Sequence, residues 1–599
     1  MMRATWLAAA AMIALPTTAF AAAPGEADVK LPSIAESRAS EAAPAVLDAD
    51  QVSGYRQVFA SIHAGAWSDA QIALDAMKPG PLHPIALAEL YTAKGSPKVA
   101  LQPLLTLLGQ APELPEADQL AGLAKLRGAT DDMLPTLPEA RKLSWIAGAP
   151  IRIRLHSTGS DAVAAQLETG MRQFIKDDNG AAAEALLEET QGLTPEAQTE
   201  WQARVAWIYY LAGDDGNARL MAAKSANDPG DWGVQANWTI GLAAWRQHDS
   251  ATAATAFLTV ASRATDVDLR AAGLYWASRA NMANGRPDLI QTELTSASQY
   301  TETFYGLLAR QALGLSAPVV AARADATDAW KQLARLPNAQ VAAGLVQIGE
   351  AELADDVLRH QAAIGDAGDY HALVHLAGDL NLPETEIWLS HNGPAGAEPS
   401  VAARYPTPNW TPDGGWRVDK ALVFAHTLQE SSFRRDVVSA AGAYGLMQIR
   451  PAAATDIARA RGEADRTYDR ASLSHPSTNI EIGQSYLEQL RDQPCTGGLL
   501  PKVIAAYNAG PLPVQAWNMV AKNNADPLLY IESIPYWETR GYVVTVLRNY
   551  WMYEGEEGKK SASRAALAQD LWPRFPGLPG ATAVRMTPPA ANRTLASAD

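Results

Sequence analysis

The chain has 599 residues, with 65 acidic against 49 basic side chains and a formal net charge of −16. That length exceeds what one hydrophobic core organises, so several domains are expected. An acidic surface excludes a nucleic-acid partner, which needs a basic face, and offers no attraction to anionic lipid. Hydrophobic residues at 48% with 19% charged fit a soluble globular protein. Abundant alanine and only eight phenylalanines fit closely packed helices, and the chain reads as all-α.

The N-terminus reads as a secretory signal over residues 1–21. Arg3 supplies the basic start, Trp6 to Leu15 is an apolar run, and Ala19-Phe20-Ala21 is a cleavage site. Ten apolar residues are too few for a hydrocarbon layer of about 30 Å, so no membrane anchor is expected. The mature protein is expected in the periplasm, beginning with a polar tail over 22–45.

From 46 to 390 the pattern is helical with short breaks. The breaks recur: Asn179-Gly180, Gly213-Asp214, His248-Asp249 and Asn284-Gly285, at steps of 34, 35 and 36 residues from Gly180 to Asp214, Asp249 and Gly285. Gly95 and Gly349-Glu350 read as diverged members. A period near 34 with Gly or Asp turns predicts stacked helix pairs, an α-superhelix of the tetratricopeptide type. Trp207, Trp245 and Trp276 lie at helical spacing upstream of the breaks, which predicts core between repeats rather than a sugar-stacking surface. Such superhelices also bind proteins, so protein partners are a second role for this region.

Residues 391–416 are too rich in Pro and Gly for a helix and read as a linker. Residues 417–553 read as helices joined by loops, and 554–599 as a poorly ordered tail. Cys495 is the only cysteine, so no internal disulfide forms. No spaced His, Cys or Asp set suggests a metal.

Within 417–553, Glu430 ends the apolar stretch Ala421-Leu-Val-Phe-Ala-His-Thr-Leu-Gln-Glu430. A carboxyl there is expected to be desolvated, which raises its pKa and suits it to general acid work near neutral pH. Downstream come Ser439, Gly442-Ala-Tyr-Gly-Leu-Met-Gln448, Asn479-Ile-Glu-Ile-Gly483, Ala505-Ala-Tyr507-Asn508-Ala-Gly510 and Ile534-Pro-Tyr-Trp-Glu-Thr-Arg540-Gly-Tyr542-Val543. Most glycosidases use two carboxylates. Here Asp436 follows Arg434-Arg435 and reads as an ion pair, and Asp456 reads as a helix-surface residue.

This ordered set resembles the catalytic domain of the soluble lytic transglycosylases, which cleave the glycan strands of bacterial peptidoglycan. The resemblance implies a lysozyme-like, mainly helical catalytic domain beside a ring-forming superhelix. It also implies an enzyme without a cofactor, expected as a monomer, with Glu430 as sole acid and base and a 1,6-anhydromuramoyl product. Substrate-binding roles fall by resemblance on Ser439, Met447, Gln448, Arg450, Tyr507, Asn508, Glu532 and Tyr542. For Glu532 and Tyr542 a structural ion pair with Arg540 competes with substrate contact. The family usually shows Gly-Leu-Met-Gln-x-Met-Pro, whereas this chain has Ile449-Arg450-Pro451, which puts a cation where a Met lines the groove. His475 stands where the family often has Asp and reads as a local cap. A muramidase on the same fold and an inactive scaffold protein are the competing readings.

Overall fold

A computed structural model describes residues 44–158, 161–316, 326–398, 400–463, 466–519 and 525–586. The predicted signal segment and most of the N-terminal tail lie outside these residues. Among the described residues the regular elements are helices apart from two two-stranded antiparallel pairs, Ser144–Trp145 with Asn392–Gly393 and Trp572–Pro573 with Ala583–Val584. No described helix is long and apolar enough to cross a membrane.

The periodic region forms the helix pairs that its breaks predict. Ala162–Lys176 pairs with Gly180–Glu189, Pro195–Leu211 with Asp215–Ala223, Asp231–Arg246 with Ser250–Arg263, and Val267–Ala283 with Pro287–Ser298. The turn residues also cap the second helices: side chains of Asn179, Asp214 and Asp249 accept from the amides of Ala182, Asn217 and Thr252. Each satisfies a helix N–H that has no intrahelical partner. Small residues set the close crossings, as at Gly273, whose backbone lies against Phe257 and Ala261. Trp276 is fully buried, and Trp207 and Trp245 are half-buried against the catalytic region, where Trp245 donates to Asp526.

Two cores divide the molecule. One joins residues 47–124 to 329–403, and the other joins the repeats at 167–309 to 387–575. The chain thus leaves the first core, builds the repeats and returns to the first core. The amides of Val46 and Leu47 donate to Gln347, tying the N-terminal end to the helix Pro337–Ile348.

Two expectations need correcting. Residues 127–158 are not helical beyond one 3-10 turn, Asp131–Met133. Pro135, Pro138, Gly148 and Pro150 interrupt any helix, and Ile151-Arg-Ile-Arg154 alternates with a period of two. This strap bonds in turn to Ala363, His391, Arg548, Asp268 and Glu200. The segment after 553 was expected to be poorly ordered, yet 554–586 continues the helix Trp537–Glu556, then forms Ala562–Leu567 and the second strand pair. Leu567, Trp572 and Phe575 are buried, and Trp551 Nε1 donates to Ser563. Those large apolar side chains outweigh the Pro and Ala composition around them. The stretch around 400–410, with one 3-10 turn at Ala402–Arg404, is packed too: Arg404 is buried and paired with Glu302, and Tyr553 donates to the Pro406 carbonyl.

Candidate active site

Three helices and one loop bring most of the predicted residues together. The helix Lys420–Ser431 buries seven of its first eight residues, Ala421 to Thr427, and delivers Glu430 in its last turn. The next two residues, Ser432 and Phe433, both have left-handed backbone, with φ of 52° and 61°. Such a conformation costs a non-glycine residue energy and persists where packing enforces it. Here Phe433 is buried against Phe424 and beside Trp410, so the chain turns sharply just beyond the acid.

The loop 437–449 is held by bridges from Val438 to Tyr444 and from Tyr444 to Ile449. Gly442, Gly445 and Gln448 take positive φ, and Gly445 has no room for a side chain between Leu473 and Asn479. Asn479, fully buried on the helix Pro476–Arg491, accepts from the Met447 amide and donates to the Tyr444 and Leu473 carbonyls. This single side chain fixes the loop from inside.

Tyr507 on Leu500–Ala509 donates to the Met447 carbonyl at 2.8 Å. Tyr542 on Trp537–Glu556 donates to Glu430 Oε1 at 2.6 Å. The two phenol rings lie nearly parallel, 6.5 Å apart. His426, one turn before Glu430, packs its ring 4.9 Å from Tyr507 and 6.1 Å from Tyr542. Its Nδ1 donates to the Leu422 carbonyl, which leaves Nε2 bare and buried without a partner. Burial pushes the imidazole down to about 4, so it is neutral and adds no charge beside the acid.

Burial among these rings pushes the Glu430 carboxyl up to about 7. The Tyr542 hydrogen bond opposes that rise, and the nearby Glu538 charge adds to it. The carbonyl end of a helix also disfavours a carboxylate in its last turn. A group poised near 7 can both give and take a proton at neutral pH. His426 and Glu538 were not singled out from the sequence; the i to i+4 spacing of His426 and Glu430 on one helix face was the available signal.

The other predicted residues are placed as follows. The Met447 side chain is fully buried against Gly483, so only its backbone reaches Tyr507. Gln448 Nε2 donates to the carbonyls of Gly445 and Val437, and Ser439 Oγ accepts from the Ala443 amide. Both brace the loop. Asn508 accepts from Thr539 at 2.6 Å. Arg450 is exposed at the start of the helix Pro451–Ala460. Glu532 stands apart from the site: it is fully buried, with one oxygen on Arg152 and the other on Tyr305. Arg540 touches only its backbone carbonyl.

Among the described residues no second buried carboxylate contacts Glu430. Asp436 is exposed, Asp456 pairs with Arg459, and Glu538, near enough for its charge to act on Glu430, is exposed to solvent. Among the described residues no His, Cys, Asp and Glu group could hold a metal. His475 begins Pro476–Arg491 without a side-chain cap bond, and the Cys495 thiol is pushed up by burial.

Residues 412–529 match the family model described as the transglycosylase SLT domain. A soluble lytic murein transglycosylase of Salmonella typhimurium is 37% identical over 148 residues, 25% of this chain and 22% of that protein. The Escherichia coli protein of the same name is 38% identical over 133 residues, 22% of this chain and 20% of its own length. The sequence match therefore spans about a fifth of these relatives. The fold match is wider. The 70 kDa soluble lytic transglycosylase of E. coli superposes with a TM-score of 0.54 at 18% identity, covering 88% of this chain and 99% of that one. The lytic transglycosylase Slt of Pseudomonas aeruginosa, solved as an inactive mutant, gives 0.50 at 19% identity, covering 85% of this chain and 81% of that one. Residues 412–529 therefore resemble the transglycosylase SLT domain in sequence, and the chain is similar in fold to the soluble lytic transglycosylases.

Proposed function

We propose that the protein is a peptidoglycan lytic transglycosylase acting in the periplasm, with Glu430 as its only acid and base. The observation that carries this reading is one buried carboxyl poised near 7 and hydrogen-bonded by Tyr542, while the nearby carboxylate, Glu538, is exposed to solvent. The names of the relatives support the substrate, and the apolar start of the chain supports export.

A single carboxyl needs a second group to hold charge at the anomeric carbon, and an N-acetylated sugar supplies one. Glu430 gives its proton to the glycosidic oxygen between N-acetylmuramic acid and N-acetylglucosamine. The C1–O bond breaks as the muramoyl acetamide oxygen bonds to C1, which forms an oxazolinium. The Glu430 carboxylate then takes the proton of the C6 hydroxyl, O6 bonds to C1, and the acetamide is released. Glu430 is protonated again, no water is consumed, and a 1,6-anhydromuramoyl end results. A positioned hydroxyl has an effective molarity on the order of 10⁵ M, which makes ring closure competitive with water.

Tyr542 orients the acid and steadies its ionised form. Tyr507, Asn508, Ser439 and Gln448 shape the surrounding walls, with Arg450 at the groove's outer edge. The Glu430→Gln variant tests the assignment: it should bind glycan and lose at least about 10²-fold in turnover. Undiminished turnover would refute it.

A further inference from the structure

The catalytic helix starts in a buried cluster that the reaction does not use. Asp419, 9% exposed, caps Lys420–Ser431, with one carboxylate oxygen accepting from the Ala421 amide at 2.9 Å. Its other oxygen takes the Tyr550 hydroxyl at 3.2 Å. Tyr550 also bonds Glu554, one turn further along Trp537–Glu556, and Glu554 bonds the Ser561 hydroxyl. Ser561 in turn caps Ala562–Leu567. One buried chain of side chains thus runs from the cap of the catalytic helix to the cap of the last described helix.

Proton counting decides how that chain closes. A phenol has one hydrogen to donate, and an ionised carboxylate has none. With Asp419 and Glu554 both ionised, Tyr550 serves one of them and leaves the other against a phenol oxygen that it cannot bond. With a proton on Glu554 every link is made: Glu554 donates to Tyr550, and Tyr550 donates to Asp419. Glu554 is 7% exposed, and its Oε2 is buried without a hydrogen-bond partner, which is costly for a carboxylate. Burial pushes its carboxyl up to about 7; the Asp419 charge adds to that rise, while Ser561, Arg564 and Tyr550 oppose it. The cations around the cluster are engaged elsewhere. Arg564 faces Glu554 but donates to Gln311, and the Arg310 charge works against its own. Lys559 faces Asp419 and pairs with Glu557 at 2.7 Å. Lys420 lies over the rings of Trp416 and Phe424 and also acts on Glu557.

We propose that Asp419, Tyr550 and Glu554 form a proton-dependent latch that fastens the segment 554–586 to the start of the catalytic helix. Glu554 holds its proton more tightly in the folded chain than an unfolded glutamate does, at about 4.3. The latch is therefore complete at low pH and is lost as pH rises to about 7 and beyond. Once Glu554 ionises, two buried carboxylates compete for one phenol hydrogen, and both helix caps loosen. The three side chains are positioning residues: they touch no substrate and act on Glu430 through the helix that carries it at its other end. This inference goes beyond the proposed reaction and does not depend on its substrate.

Hydrogen exchange of the full native chain tests the latch, read by mass spectrometry without substrate and corrected for the intrinsic pH dependence of amide exchange. Between about pH 5.5 and about pH 8.5, amides in 555–567 and in the first turn of Lys420–Ser431 should lose protection at least about tenfold. The repeat helix Asp231–Arg246 serves as the internal reference and should change by less than about twofold. Glu554→Gln keeps a donor for the phenol and cannot ionise, so it should hold its protection at both values. Tyr550→Phe should lose it at both. Equal protection of the native chain at the two pH values overturns the latch, as does the same loss in Glu554→Gln as in the native chain. A loss spread evenly into Asp231–Arg246 also overturns it, because it reports general unfolding rather than a local release.

Discussion

Tyr542 donates a 2.6 Å hydrogen bond to Glu430 from a different helix, and the same contact both orients the acid and lowers its pKa. Removing the hydroxyl in Tyr542→Phe should therefore act twice. The lost bond to a charged group is worth about 1.5–3 kcal/mol, so kcat should fall by roughly 10- to 100-fold. The basic limb of the pH profile should also move to higher pH, because the ionised form loses its donor. A merely structural tyrosine would lower the rate without shifting that limb.

The raised pKa makes a stability prediction with a definite sign. Glu430 titrates near 7 in the folded protein, against about 4.3 for an unfolded glutamate. The folded state binds the proton more tightly, so ionisation weakens the fold as pH rises from about 4.5 to 7, and the penalty stays constant above that. Glu430→Gln cannot ionise. It should be more stable than the native chain by about 1–3 kcal/mol at pH 8 and equal to it near pH 4. Urea denaturation at the two pH values reads this directly; equal stability at pH 8 would contradict a desolvated acid.

Glu538 offers a finer check on the same electrostatics. It is exposed, and its charge contributes to the rise at Glu430. Glu538→Gln should shift the basic limb of activity to lower pH while leaving the maximal rate within about threefold. A collapse of activity would instead make Glu538 a second catalytic carboxylate, as in a hydrolase.

Much of this architecture is legible in the sequence, and the misses have physical causes. The breaks at Gly180, Asp214, Asp249 and Gly285 locate the helix pairs because the same residues that stop one helix cap or admit the next. The apolar stretch before Glu430 foretells its desolvation. The strap was missed because its two-residue alternation is short and lies between helices of strong periodicity, although Pro135, Pro138 and Pro150 forbid a helix there. The role of Glu532 was out of reach: its partners Arg152 and Tyr305 lie 380 and 227 residues away. Met447 shows the same limit in reverse. A motif identifies the loop, but only packing against Gly483 reveals that its side chain points inward.

Gly445 tests the loop that Asn479 braces. Its φ is 72°, and an added methyl would collide with the Leu473 carbonyl and the Asn479 amide. Gly445→Ala should cost about 2–4 kcal/mol, combining backbone strain with overpacking. The loop shift should also reduce kcat beyond what the loss of folded protein explains. Thermal unfolding beside single-turnover rates separates the two effects, and an unchanged melting temperature would refute the steric argument.

Glu532 tests how the catalytic domain is held. Its carboxylate joins Arg152 of the strap at 2.7 Å and Tyr305 of the superhelix at 2.7 Å. Glu532→Ala removes one of the two carboxylates on the buried Arg152, leaving Asp268, and should cost about 1–3 kcal/mol for the lost charged hydrogen bonds. Protease sensitivity within residues 141–158 should rise in that variant, as the strap loses its anchor. Resistance equal to the native chain would show that the pair does not clamp the domains.

The most direct test of the central claim is mass spectrometry of the fragments released from purified sacculi by the native chain and by Glu430→Gln. One carboxyl acting first as acid and then as base predicts 1,6-anhydromuramoyl ends from the native chain and almost none from the variant. Reducing muramoyl ends, each heavier by one water, would show that water is the acceptor and would contradict the account.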